Sequence, residues 1–161
     1  VAVDYETTCI KPEWPKAQIV SCAVSNGERT ISYPWTEKTR VATGMFLRSK
    51  RTRKIASNLK MEERWTLKEF GHGVTNWGWD TMLAAHCLDN RTGICSLKFQ
   101  SLVQFGVTRY NRSIEPYLKN SKGPYNRIAE IDLHQLLYYG GMDGILEYML
   151  AMKQRKEMGY K

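Results

Sequence analysis

Residues 1–6 (VAVDYE) are β-rich and send successive side chains to opposite faces, which predicts a strand. Residues 17–25 (AQIVSCAVS) and 29–35 (RTISYPW) predict two more, joined through Asn26-Gly27, a dipeptide suited to hairpin turns. Pro12 and Pro15 mark the loop between the first two strands. Residues 37–47 have helical spacing, with Val41, Met45 and Phe46 as the expected inner face. A basic run, RSKRTRK, fills 48–54. A short buried strand is expected at 55–58 and a helix at 59–70, stopped by Gly71. Residues 77–80 read as a brief strand, and 81–87 and 96–105 as helices. The segment 109–127, polar and rich in Asn, Tyr and Pro, reads as a long loop, and 131–139 and 144–156 as two closing helices. Strands in hairpin order followed by alternating strands and helices predict an α/β fold. We expect a mixed sheet of about five strands, the first three antiparallel, flanked by helices.

The chain has 161 residues, the size of one domain, and we expect a single domain over 1–161. Its apolar runs fall far short of the ~18 residues a membrane span needs, so no membrane partner is expected. A content of 42% hydrophobic residues excludes a disordered tail. With 24 Lys and Arg against 16 Asp and Glu, the net charge is +8, which suits a polyanionic partner such as nucleic acid without requiring one. Cys9, Cys22, Cys87 and Cys95 form no C-x-x-C pair, so neither a zinc site nor a disulfide framework is expected. Reduced thiols and the lack of a signal peptide at the start point to the cytoplasm. The opening Val-Ala-Val, without Met, suggests a piece cut at a domain edge.

Three constellations carry candidate chemistry. Asp4 and Glu6 share one face of the opening strand, roughly 7 Å apart along it. They read either as divalent-metal ligands or as acids on an exposed edge. Tyr139 and Asp143 are spaced i, i+4 and share a helix face. They read either as a phenol and carboxylate looking into one pocket or as a helix break at Gly140-Gly141, with Asp143 capping the next helix. Asn58 stands where a strand hands over to a helix, and Glu62 lies one turn in. They read as a cap and a dipole-answering acid, or as part of a site near the strand end. Glu63 reads as solvent-facing.

Taken in order, these sites resemble the proofreading 3′–5′ exonuclease domain of family A DNA polymerases, especially bacteriophage versions. The matching stretches are VAVDYETTCIKPE, IVSCAVS, IASNLKMEERW, WDTMLAAHCLD and LLYYGGMDGILEY, which span almost the whole chain. The resemblance implies a ribonuclease H-like fold and two Mg²⁺ or Mn²⁺ ions that hydrolyse the terminal phosphodiester of single-stranded DNA. It implies that Asp4, Glu6 and Asp143 hold one ion, with Asp4 bridging to a second that Glu62 supports. Asn58 would place the substrate and Tyr139 would orient the attacking water. It further implies proofreading during DNA replication and a DNA polymerase domain or subunit as partner. One departure is Glu62, where the family carries Asp, commonly as His-Asn-x-x-x-Asp. Asp89 in HCLD mimics that motif but comes too late, and Asp80 is expected to be structural.

Weaker candidates surround this set. Tyr5, between the two carboxylates, is nominated to touch substrate, and Lys60 to approach a phosphate. The run 48–54 reads as a phosphate contact or as a solvated face. His86 and His134 read as core residues, and Cys9 has no implied role. Arg109, Arg112, Lys119, Lys122 and Arg127 line a loop that can guide a strand. Two rival readings remain: an RNA-trimming exonuclease of the same superfamily, and a catalytically silent nucleic-acid-binding module marked by Glu62.

Overall fold

The computed structural model describes residues 1–119 and 123–160. Strands β1 (Ala2–Thr7), β2 (Ile19–Ser25), β3 (Thr30–Pro34), β4 (Lys54–Ala56) and β5 (Trp77–Asp80) make one sheet in the order β3-β2-β1-β4-β5. The first three pair antiparallel in a mixed sheet, as the sequence pattern predicts, and β4 and β5 join in parallel. Helices are α1 (Glu37–Arg48), α2 (Leu59–Phe70), α3 (Thr81–Leu88), α4 (Leu97–Phe105), the single turn α5 (Glu115–Leu118) and α6 (Leu133–Glu157).

Alternation along β1 separates two layers. Val3 and Tyr5 enter a core with Cys22, Leu47 and Trp65, under α1 and α2. Ala2 faces the other way, onto Ile55 and Ala151 of α6. By the same period of two, Asp4 and Glu6 face α6. Small residues oppose both acids across the β1–β2 ladder, Ala23 beside Asp4 and Ser21 beside Glu6.

The expected break at Gly140-Gly141 does not occur: α6 is one helix of 25 residues. The glycines serve close packing instead. A Cβ on Gly140 would lie 3.4 Å from Ser32 Oγ and 3.6 Å from Glu6 Cγ, and one on Gly144 would lie 3.4 Å from Ala23 Cβ. The missing side chains let α6 lie against β1, β2 and β3. That burial outweighs a helix-propensity cost of ~1 kcal/mol per glycine.

Three other expectations are corrected. The inner face of α1 is Thr43, Gly44 and Leu47, while Val41 and Met45 are exposed. Gly44 faces Phe70, whose ring would sit 2.9 Å from an added Cβ, so the helix turns its smallest residue to α2. His86 and His134 are exposed rather than core. The long loop carries α5 and buries Ile114, which packs with Ile128, Leu136 and Tyr139. Lys122 lies outside the described residues. No helix among the described residues is long and apolar enough to cross a membrane.

Candidate active site

β1 and α6 bring the first two constellations together. One ligand oxygen each from Asp4, Glu6 and Asp143 falls within 4.8 Å of the others. Two charged carboxylates at that separation repel by about 3 kcal/mol at an effective dielectric of ~20, so the trio favours a multivalent counter-ion. A register shift in β1 between Glu6 and Thr7 ends the regular ladder just past the second acid. Such irregularities often sit beside functional sites, where they re-aim side chains. Burial, then Asp143, pushes Asp4 up to about 7, with Lys98 pulling it down. Burial, then Asp4 and Asp143, raises Glu6 well above the usual carboxylate range.

Glu62 is buried on α2, with Asp4 and Asp80 among its charged neighbours. Burial first, then Asp4, raises its pKa well above the usual value. It stands outside the tight trio. The turn that delivers it is held by two other acids. Asp80 accepts the N–H groups of Asn58 at 3.1 Å and Leu59 at 3.0 Å, and also those of Met82 and Leu83 at the start of α3. Glu147, one turn past Asp143 on α6, accepts the Ser57 N–H at 3.0 Å. Asp80 is therefore structural, as expected. Asn58 is the N-cap residue but its side chain makes no capping bond. Its backbone is left-handed (φ 66°), a conformation Asn tolerates, and the Asp80 carboxylate does the capping from outside.

The donor set suits a hard divalent cation. It is all carboxylate, and Asp4 Oδ2, Glu62 Oε2 and Glu147 Oε1 are buried with no hydrogen-bond partner among the described residues. Buried oxygens without partners gain most from a cation.

Sequence reasoning missed Lys98 and Tyr110. Lys98 Nζ donates to Asp143 Oδ2 at 2.7 Å and to the Tyr139 hydroxyl at 2.5 Å, and lies 4.7 Å from the Tyr139 ring centroid. The Tyr110 hydroxyl donates to Asp143 Oδ1, and its ring stacks near Tyr139 at 6.1 Å. Burial works against the Lys98 charge, but Asp143, Glu6 and Asp4 outweigh it and raise its pKa. Burial, then Asp143 and the other acids, raises Tyr110 and Tyr139, so both phenols stay protonated at neutral pH. One signal was present: Lys98 occupies the first turn of α4, where the helix dipole favours acids.

Other candidates fall away from the cluster. Tyr5 is a correction: position i+1 on a strand points to the opposite face, and its hydroxyl pairs with Thr66 Oγ1 at 3.2 Å in the far core. Lys60 is exposed on the first turn of α2. Asp89 is spent on Arg91, 2.5 Å away at the surface. Glu63 is not solvent-facing but accepts from Val74 N–H and Trp77 Nε1, tying down the loop before β5. In the basic run, Arg48, Lys50, Arg51 and Arg53 are exposed, whereas Lys54 is buried and donates to Ser49 O and Thr75 O.

No family model matches the chain, and no curated protein matches it in sequence. Solved structures do. An apo-form nuclease aligns with TM-score 0.74 and 18% identity, covering 98% of this chain and 72% of its own. Brucella melitensis NrnC bound to pGG aligns with TM-score 0.74, 17% identity and coverage of 98% and 72%; NrnC also has a structure with bound Mg²⁺. The POL domain of Pol1 from M. smegmatis, with DNA primer-template and dNTP, aligns with TM-score 0.63 and 15% identity, over 98% of this chain and 23% of that one. The chain thus shares with these structures its α/β fold, a five-stranded mixed sheet flanked by helices, which is consistent with a ribonuclease H-like arrangement. The likeness runs to nucleases and a polymerase domain alike, so it does not single out the family A proofreading domain.

Proposed function

We propose that this chain is a divalent-metal-dependent 3′–5′ exonuclease, a single exonuclease-like domain over 1–161 that removes nucleotides from a single-stranded 3′ end. The observation that carries the reading is the Asp4–Glu6–Asp143 trio, with oxygens within 4.8 Å and Tyr139 one helical turn from Asp143. The trio would hold one Mg²⁺ or Mn²⁺ ion, and Asp4 with Glu62 would serve a second. When bound, such ions activate water and stabilise charge on the attacking and leaving oxygens.

The chain's own residues supply positioning. Tyr139, kept as a neutral phenol, gives a hydrogen bond that orients the attacking water and does not act as a base. Asp80 and Glu147 fix the turn before α2 and so set the reach of Glu62. Asn58, in its left-handed turn at the start of α2, would help place the substrate backbone. Water attacks the terminal phosphorus in line, the P–O3′ bond breaks, and the departing 3′-oxygen takes up a proton.

DNA as substrate, in or beside a polymerase, is supported by the motif resemblance and by the likeness to a polymerase domain solved with DNA. A second reading, RNA trimming by an exonuclease of the same superfamily, is supported by the higher structural similarity to NrnC bound to pGG. Matched DNA and RNA oligonucleotides, 3′-labelled and incubated with Mg²⁺, separate the two. Faster loss of the DNA label supports the first, and faster loss of the RNA label the second. Oligonucleotide binding with no label release in Mg²⁺ or Mn²⁺ would instead favour the silent module.

A further inference from the structure

Lys98 belongs to none of the sequence motifs, yet its ammonium hydrogen-bonds both Asp143 and Tyr139. It also lines an open cleft of about 450 Å³ together with Phe99, Leu102, Arg109 and Tyr110. Its side chain keeps 37% of its surface exposed, against 5% for Asp143, so Lys98 connects the buried carboxylate to the cleft. Arg109, at the same cleft, holds a left-handed backbone (φ 53°), an unusual conformation for a non-glycine residue. In the first turn of α4 a lysine opposes the helix dipole, so local helix stability does not account for it.

We propose that Lys98 is a phosphate-binding residue of this site. Its ammonium rests on Asp143 and moves to a non-bridging oxygen of the scissile phosphate when a divalent ion takes that carboxylate. The inference rests on the metal-dependent nuclease reading above. Its physical basis is competition at one oxygen. Asp143 Oδ2 already receives Nζ at 2.7 Å, and a cation at ~2.1 Å from that oxygen would press two positive charges together. The flexible four-carbon stem lets the ammonium swing toward the cleft, where a phosphate offers it a new anion. Charge is conserved in the exchange: one carboxylate–ammonium contact is replaced by a phosphate–ammonium contact.

The test uses the full chain, with Mn²⁺ alone as the first probe. Calorimetry on Lys98→Met should show Mn²⁺ binding about tenfold tighter than in the parent, because the competing cation is gone. With saturating Mn²⁺, anisotropy of a fluorescent single strand ending in a hydrolysis-resistant phosphorothioate should show about tenfold weaker binding to Lys98→Met. Lys98→Arg should recover most of it, which also guards against a folding defect in the Met variant. Unchanged or weaker Mn²⁺ affinity in Lys98→Met, or oligonucleotide binding that ignores the substitution, overturns the Lys98 role alone. A parent protein that binds no Mn²⁺ overturns the nuclease reading and this inference with it.

Discussion

Glu147 Oε2 accepts the backbone N–H of Ser57 at 3.0 Å, a bond that joins α6 to the end of β4 across 90 residues of sequence. It makes the helix that carries Asp143 also hold the turn that leads to Glu62. Glu147 is fully buried, and burial, followed by the charges of Asp4 and Glu62, raises its pKa well above the usual range. Glu147→Gln, similar in shape and able to accept the same bond, should cost under ~1 kcal/mol. Glu147→Ala strands a buried N–H and opens a cavity, and should cost about 2–4 kcal/mol in urea unfolding.

Asp80 concentrates four backbone contacts in one carboxylate. Asp80→Ala should lower stability by about 2–3 kcal/mol and cut nuclease rate through loss of Glu62 placement. Activity falling further than the folded fraction, measured by circular dichroism on the same samples, is the expected signature.

Glu62 is a buried acid with one oxygen that has no hydrogen-bond partner among the described residues, a stability liability consistent with the proposed metal role. Glu62→Gln should leave metal-free stability at pH 8 equal or higher, while lowering Mg²⁺-dependent turnover about 100-fold. Thermal melts paired with single-turnover rates check both halves.

Asp4 and Glu6 make the metal-free fold lose stability as pH rises from acid toward neutral. A carboxyl whose pKa is raised on folding contributes stability below its unfolded pKa, near 4, and that contribution is lost as pH rises through the folded value. For Asp4 that value is about 7, so stability should fall between pH ~4 and ~7 by up to about 1.4 kcal/mol per pH unit per proton. Glu6 shifts in the same direction. Millimolar Mg²⁺ should flatten the decline by stabilising the ionised acids. Denaturant midpoints across this range, with EDTA or with Mg²⁺, measure it.

The antiparallel first three strands and the two pairs Asp4/Glu6 and Tyr139/Asp143 were legible from short-range periods, whereas joining Asp143 to Asp4 and Glu6 came only from the motif resemblance. A period of two puts Asp4 and Glu6 on one face, and i, i+4 puts Tyr139 and Asp143 on another. The same period of two puts Tyr5 on the opposite face, so its nomination rested only on adjacency within the motif. Gly140-Gly141 misled because propensity measures an isolated helix, whereas here the pair is stabilised by contact with β1 and β3. The partnership of Lys98 and Tyr110 with Asp143 was illegible because Asp143 lies 45 and 33 residues further along the chain; the only hint was a lysine in the first turn of α4. Asn58 looked like a cap by residue type, but the capping carboxylate comes from Asp80 at the end of β5.

The most direct measurement is release of label from a 3′-labelled single-stranded oligonucleotide by the parent chain, Asp4→Ala and Asp143→Asn, each with Mg²⁺ or EDTA. Release by the parent that requires Mg²⁺ and falls at least 1000-fold in both variants is the predicted result. Equal release by the parent and the variants, or release that persists in EDTA, would contradict the assignment of Asp4 and Asp143 as the metal-holding heart of a nuclease.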